Sequence, residues 1–269
     1  MTKTLRRAKA ALPAAMALVI VATTVGCGNK APNIVGFTGA DVLGARVVLG
    51  EPPGGQPKAV LLLVHGGGWQ RSDAGFEEQK VAAKTFQQLG YATVTIGYDA
   101  GAKGFQQVLA VYRQARKRWP DLPVCASGIS AGANYSLMLA TREPDLTCVL
   151  ALSAPTDLTT LAAQDPSGQE AYDAAVTAFG ANQLAKFSPV RYANKIKAKV
   201  LLVGAEGDPT VPAAQSEELA KALPGSQLLI LPPGPDRAEF AHYGGVQPGA
   251  QDEVIKRDLD FLNSVIKGN

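Results

Sequence analysis

Residues Ala59 to His65 form an unbroken apolar run, bounded by Lys58 before it and three glycines after it. A short run with no polar alternation reads as a strand buried on both faces, which other elements of the chain must then cover. The same pattern, a strand followed by small residues, recurs at Ala92 to Gly97, Pro123 to Ser127, Cys148 to Ser153, Val200 to Gly204 and Gln227 to Leu231. Stretches with apolar residues at helical spacing lie between and after them, at Glu78 to Leu89, Gly104 to Trp119, Ala131 to Arg142, Ala213 to Leu223 and Asp252 to Ile266. In the last of these the expected apolar set is Val254, Ile255, Leu259, Leu262, Val265 and Ile266. Strands alternating with helices impose right-handed crossovers, so the expected class is α/β: a mostly parallel, twisted sheet with helices on both faces. A patch around Ala45 to Leu49 reads as an edge strand. The longer stretch from Ala154 to Lys199, with a helical piece at Glu170 to Phe179, leaves room for a small cap at most.

The chain has 269 residues, 46% of them apolar and 18% charged, which is too hydrophobic for disorder and long enough for one large core. The net charge of +3 owes much to Lys3, Arg6, Arg7 and Lys9, so the body is close to neutral and no nucleic-acid partner is expected. Those four cations precede an apolar run from Ala10 to Val25, the layout of a secretory signal, and the run is short against the ~20 residues of a transmembrane helix. Thr24-Val25-Gly26-Cys27 follows, and it resembles the lipobox of bacterial lipoproteins, departing at Thr24, where that family prefers Leu. The resemblance implies lipidation of Cys27 and a membrane anchor outside the cytoplasm. Cleavage near Gly26 without lipid and an uncleaved anchor are the alternatives. The expected organisation is a signal peptide at 1–26, a linker with the edge strand at 27–57 and a catalytic domain at 58–269.

Gly128-Ile129-Ser130-Ala131-Gly132 ends one expected strand and opens a helix. A serine on so sharp a strand-to-helix turn needs small neighbours, and the turn pushes its Oγ out at the carboxyl end of the sheet. His65-Gly66-Gly67-Gly68-Trp69 ends another buried strand, and its glycines leave backbone N–H groups free to hold a developing oxyanion. A serine hydroxyl needs a base that titrates near neutral pH. The chain has two histidines, and with His65 inside the glycine loop the base falls to His242, between the last expected strand and the last helix. The acid that orients it belongs on a late strand's loop between serine and histidine. Asp208 is the first choice there, with Asp157 and Glu206 as alternatives.

Together the two glycine motifs resemble the HGGG-type esterases and lipases of the α/β-hydrolase superfamily, akin to the hormone-sensitive-lipase-like carboxylesterases. The resemblance implies an α/β-hydrolase fold, a structural role for His65, and oxyanion N–H groups from Gly67, Gly68 and Ala131. Two departures stand out: that family ends the strand near Tyr98 with Asp-Tyr-Arg and places an aspartate in the next helix. This chain has Gly97-Tyr98-Asp99 and then Phe105-Gln106-Gln107, so the bracing Arg and Asp are missing. The segment from Ser188-Pro189 to Pro212 also resembles prolyl-oligopeptidase-like hydrolases, which usually carry an N-terminal propeller; none is expected here.

The expected activity is hydrolysis of a small-molecule or polysaccharide-linked carboxylic ester through an acyl-enzyme, with no metal or organic cofactor. A peptidase or thioesterase using the same triad is the enzymatic alternative. A catalytically idle surface lipoprotein binding a hydrophobic ligand is the alternative of another class. Cys125 and Cys148 fall on neighbouring strands about 4.8 Å apart, near the span of a disulfide, the alternative being two buried thiols. Trp69, Tyr98 and Phe240 suit a pocket wall or the core equally, and Arg113 to Arg118 reads as a solvated face. The sequence carries no sign of oligomeric state.

Overall fold

Seven strands form one sheet in the computed structural model, which describes residues 37–232 and 250–266. They are β1 (Arg46–Gly50), β2 (Ala59–Val64), β3 (Tyr91–Gly97), β4 (Val124–Ile129), β5 (Cys148–Leu152), β6 (Lys199–Ala205) and β7 (Gln227–Leu231). Their spatial order is β1-β3-β2-β4-β5-β6-β7, with β1 antiparallel to β3 and every other pair parallel. The chain is thus a mostly parallel α/β-hydrolase sheet with helices around it. Every residue of β2 is buried, as its unbroken apolar run requires of a strand covered on both sides.

Helices α1 (Asp73–Gln88) and α7 (Ala250–Ile266) lie on one face of the sheet. Helices α2 (Gly101–Arg118), α3 (Ala131–Ala140) and α6 (Ala213–Ala222) lie on the other. The period-2 alternation of the strands assigns the faces. Leu61, Leu63, Leu150 and Leu201 pack under α1 and α7, while Val60, Leu62, Val149 and Leu202 pack under the opposite set. Between β5 and β6 the chain forms α4 (Leu161–Gln164), α5 (Gln169–Phe179) and three short 3-10 segments. This small helical cap is pinned by Phe179 and Phe187, whose rings stack with centroids 4.1 Å apart.

Two element boundaries and one buried helix face show the main differences from expectation. Helix α1 begins at Asp73 instead of Glu78 because Ser72 caps it, its Oγ accepting from the Gly75 N–H at 3.0 Å. Strand β4 runs two residues beyond Ser127, carrying the ladder to the edge of the serine turn. Helix α7 buries Val254, Asp258, Phe261 and Leu262, while Ile255 is 41% exposed and Leu259 only half-buried. The expected apolar set of this helix was therefore partly out of phase: it included Ile255 and missed Phe261, and Asp258 stands inside the buried stripe.

Cys125 and Cys148 are register partners on β4 and β5 with Cα atoms 4.5 Å apart, and a disulfide joins them. Gln107 of α2 ties the end of β3 to the segment before β1. Its amide accepts from the Asp99 N–H at 2.6 Å and donates to Asp99 Oδ2 and the Leu43 carbonyl at 2.9 and 3.0 Å. A neutral amide with both ends occupied can be buried completely at little cost, and Gln107 is buried.

Candidate active site

Along the chain the sheet grows from β2 to β3 on one side and then from β4 onward on the other, so the strand order reverses between β2 and β4. In open α/β sheets such a switch point opens a crevice at the carboxyl ends of the strands. Here Val64 pairs with Gly128, so the loops that leave β2 and β4 start side by side. Those loops are His65–Trp69 and the turn at Ser130.

Ser130 caps α3 with φ 53° and ψ −123°, a left-handed conformation that a serine adopts only where its surroundings over-determine it. The flanking glycines show what does so. A Cβ on Gly132 would stand 2.1 Å from the Val64 carbonyl oxygen, and one on Gly128 would stand 2.4 Å from the Gly132 carbonyl. Helix α3 is thus pressed onto the end of β2, and the turn into it closes over a single residue. The Ser130 N–H donates to the Leu152 carbonyl at 2.9 Å and the Ser130 carbonyl accepts from Asn134 at 3.0 Å, so the backbone is tied at both ends. Ser130 itself is half-buried, its side chain hydrogen-bonded to no other described residue.

The glycine loop lies against this turn: a Cβ on Gly66 would sit 3.4 Å from Ser130 Cβ. Gly67 and Gly68 have φ 111° and 60°, values that expose their amides without steric cost. Among the described residues, neither amide donates a hydrogen bond; nor does that of Ala131, the first residue of α3. Ser130, Ala131 and the glycine loop at Gly66 therefore meet in one corner, and Gly67 and Gly68 follow in the same loop. His65 is buried behind it, stacked on Tyr98 with ring centroids 4.0 Å apart and its Nδ1 2.6 Å from the Gly66 carbonyl. Burial pushes its pKa down, so the ring stays neutral, and Tyr98 donates to the His65 carbonyl at 2.7 Å. Both residues support the loop from below.

Asp208 lies on the loop after β6 and is buried. Its Oδ1 accepts from the Thr210 and Val211 N–H groups at 2.8 and 2.9 Å, which fixes the carboxylate plane. The alternatives are placed differently. Asp157 is engaged by Thr159, by Ser188 at 3.3 Å and by Arg191 at 3.7 Å, and Glu206 is exposed. His242, Phe240 and Cys27 lie outside the described residues. Trp69 and Tyr98 are core side chains, each 1% exposed.

Sequence reasoning passed over the polar residues that hold the corner together. Asn134, one turn beyond Ser130, accepts from Trp69 Nε1 at 3.0 Å and donates to the carbonyls of Pro155 and Phe187, both at 2.9 Å. It joins the glycine loop, α3, the segment after β5 and the cap. Gln215 of α6 accepts through Oε1 from the Thr156 and Asp157 N–H groups at 2.7 and 2.8 Å, tying the helix after the Asp208 loop to the same segment. The available signal was an Asn inside the buried stretch of α3 and a Gln inside the half-exposed stretch of α6. A polar cleft of about 210 Å³ beside His65, lined also by Arg46, Arg71, Asp73 and Asp99, includes neither Ser130 nor Asp208. Among the described residues, no group of three or more His, Cys, Asp or Glu side chains is placed to hold a metal.

The chain's sequence matches no curated protein. Its fold is similar to that of an acylaminoacyl peptidase from Pyrococcus horikoshii, with a TM-score of 0.65 and 17% identity over 83% of this chain. The match takes in 40% of that protein, so the chain spans well under half of its length. An acetyl ester-xyloside bifunctional hydrolase from Caldicellulosiruptor lactoaceticus has a TM-score of 0.62 at 14% identity, covering 86% of this chain and 93% of that one. A thermostable carboxyl esterase from Bacillus coagulans has a TM-score of 0.60 at 14% identity, covering 82% and 94%. Residues 93–269, which run from β3 through the serine turn and the Asp208 loop to the end, match the prolyl oligopeptidase family. The chain belongs to the prolyl oligopeptidase family of serine hydrolases.

Proposed function

We propose that the chain is a serine esterase in which Ser130 is the nucleophile, His242 the base and Asp208 the acid. The observation that carries the reading is the left-handed Ser130 turn, pressed between the α3 N-terminus and a glycine loop whose amides donate to no other described residue. In the proposed reaction Ser130 Oγ attacks the acyl carbonyl while His242 takes its proton, and the oxyanion is held by the amides of Gly67, Gly68 and Ala131. His242 then protonates the leaving alcohol, and a water activated by the same ring hydrolyses the acyl-enzyme. Asp208 follows β6, two strand spacings from β4, and about 10 Å is close to the span that one hydrogen-bonded imidazole bridges. An aspartate there fixes the tautomer and stabilises the imidazolium.

Ester specificity is supported by the fold similarity to the acetyl ester-xyloside hydrolase and the carboxyl esterase, at TM-scores of 0.62 and 0.60. Family membership favours the second reading, a peptidase with the same triad. The two are separated by comparing kcat/KM for p-nitrophenyl acetate and butyrate with that for acyl-peptide p-nitroanilides. An advantage of at least about 100-fold for the esters is expected, and the reverse order would establish the peptidase. The Cys27 lipobox and a disulfide buried in the sheet together support a place in the cell envelope, outside the reducing cytoplasm.

A further inference from the structure

Strands β2 and β4–β7 begin, and α2, α3 and α6 end, at the edge of the fold opposite Ser130. Lys117, Arg142, Lys195, Lys197 and Lys199 are exposed at this end. Among the described residues, none of the five forms an ion pair, whereas Glu143, Asp145 and Glu51 are taken by Arg113, Arg116 and Arg118 at 2.8, 3.3 and 3.4 Å. Asp121 stands against them as a further acid. Helix dipoles account for cations at the ends of α2 and α3, but Lys197 and Lys199 follow the last 3-10 turn and lead into β6, where no helix end needs them. Half-buried aromatic rings sit among these charges. Arg118 lies 4.9 Å from the Trp119 ring, and Lys195 and Arg142 lie 5.3 and 5.9 Å from that of Tyr192.

This basic end belongs to a body that is not basic. Of the 26 Lys and Arg residues, Lys3, Arg6, Arg7, Lys9 and Lys30 precede Asn33 while all 23 acids follow it, so the unit from Asn33 onward has a formal charge of −2. The acids that balance the cations lie largely elsewhere, including Asp157, Asp165, Glu170, Asp173 and Glu206 in the cap and the loops at the carboxyl ends of β5 and β6. Charge is therefore uneven along the strand direction: among the described residues the base carries five cations outside ion pairs, whereas the acids around the Ser130 end are partly matched by Arg71, Lys103 and Arg191. Cations interleaved with amphipathic rings suit the headgroup layer of a negatively charged bilayer.

We propose that the base of the fold docks on an anionic lipid bilayer and holds the Ser130 end toward solution. The inference depends on neither the substrate nor the lipidation of Cys27. The test is cosedimentation of the compact unit from Asn33 onward, which contains none of the N-terminal cations, with vesicles of phosphatidylcholine alone or mixed with phosphatidylglycerol. Binding to the mixed vesicles, released by high salt, is expected despite the net negative charge. The triple reversal Lys195→Glu, Lys197→Glu, Lys199→Glu should weaken it at least about tenfold, since each surface cation contributes a few-fold. The milder Lys→Gln triple should weaken it less while keeping the wild-type melting temperature. Reversing Lys84, Lys256 and Arg257, exposed on the outer faces of α1 and α7, makes the same charge change and should leave binding within about twofold. No binding to the mixed vesicles, or an equal loss in both sets of reversals, would overturn the proposal.

Discussion

The two faces of the sheet bury polar groups to different degrees. Under α2, α3, α6 and the cap, Asn134, Gln107, Gln215 and Ser188 are fully buried and each makes at least two hydrogen bonds, several of them to loops from distant parts of the chain. Under α1 and α7, Tyr91 Oη, Thr95 Oγ1 and Asp258 Oδ1 are buried with no partner among the described residues, and the layer is held by apolar contact and the Cys125–Cys148 disulfide. Gln164 Nε2, buried without a partner, is an exception on the first face, and Thr93, which takes a bond from Gln87 at 2.8 Å, is an exception on the second. Buried networks specify one arrangement, whereas apolar contact tolerates adjustment. The first face carries the Ser130 helix, the segments bonded to it and α6, which follows the Asp208 loop. Its polar wiring fixes the site, and the second face is where pH and reduction act on stability.

The largest expected effect comes from cutting the wiring. Asn134→Leu leaves the Trp69 N–H and two carbonyls without partners, at 1–3 kcal/mol each, and should cost about 4 kcal/mol in urea denaturation while lowering kcat. An Asn134→Leu variant with unchanged stability and activity would remove the distinction between the faces. Next is the disulfide, which closes a loop of sequence separation 23 and contributes ~3 kcal/mol on the chain-entropy account. The double variant Cys125→Ala, Cys148→Ala should lose about that much stability, yet hydrolyse esters at near wild-type kcat at 25 °C. A collapse of kcat in the folded variant would place the disulfide in the site's support.

The smallest effect belongs to Asp258, whose pKa burial raises to about 7. In the unfolded chain the group ionises near its usual 3.8, so between pH 4 and 7 the folded state holds the extra proton and stability falls as pH rises. Between pH 5 and pH 8 the loss should be about 2.5 kcal/mol, and it should be absent from Asp258→Asn when urea midpoints are compared at those two pH values. A midpoint that moves equally in both proteins would mean that another group is responsible.

Most of the fold was legible because a strand buried on both faces leaves an unmistakable apolar run, as in Ala59–Val64, and because the Ser130 turn needs glycines where their Cβ atoms would strike backbone. The support of the site was not legible. An Asn inside α3 or a Gln inside α2 reads as a solvent-facing residue until its partners are known, and those of Asn134 lie 21 to 65 residues away along the chain. Helix α7 was misphased for a related reason. Val254, Ile255, Leu259 and Leu262 fit one helical stripe as well as Val254, Phe261 and Leu262 fit another, and the packing partner decides between them.

The central claim is that the Ser130 turn presents an activated nucleophile. It is tested most directly by incubating the protein with a fluorophosphonate and locating the adduct by peptide mass spectrometry. The account predicts a stoichiometric adduct on Ser130 that is lost in Ser130→Ala and whose formation slows on acidification, as a reaction assisted by a histidine base requires. A folded wild-type protein that takes no label, or takes it on another residue, would contradict it.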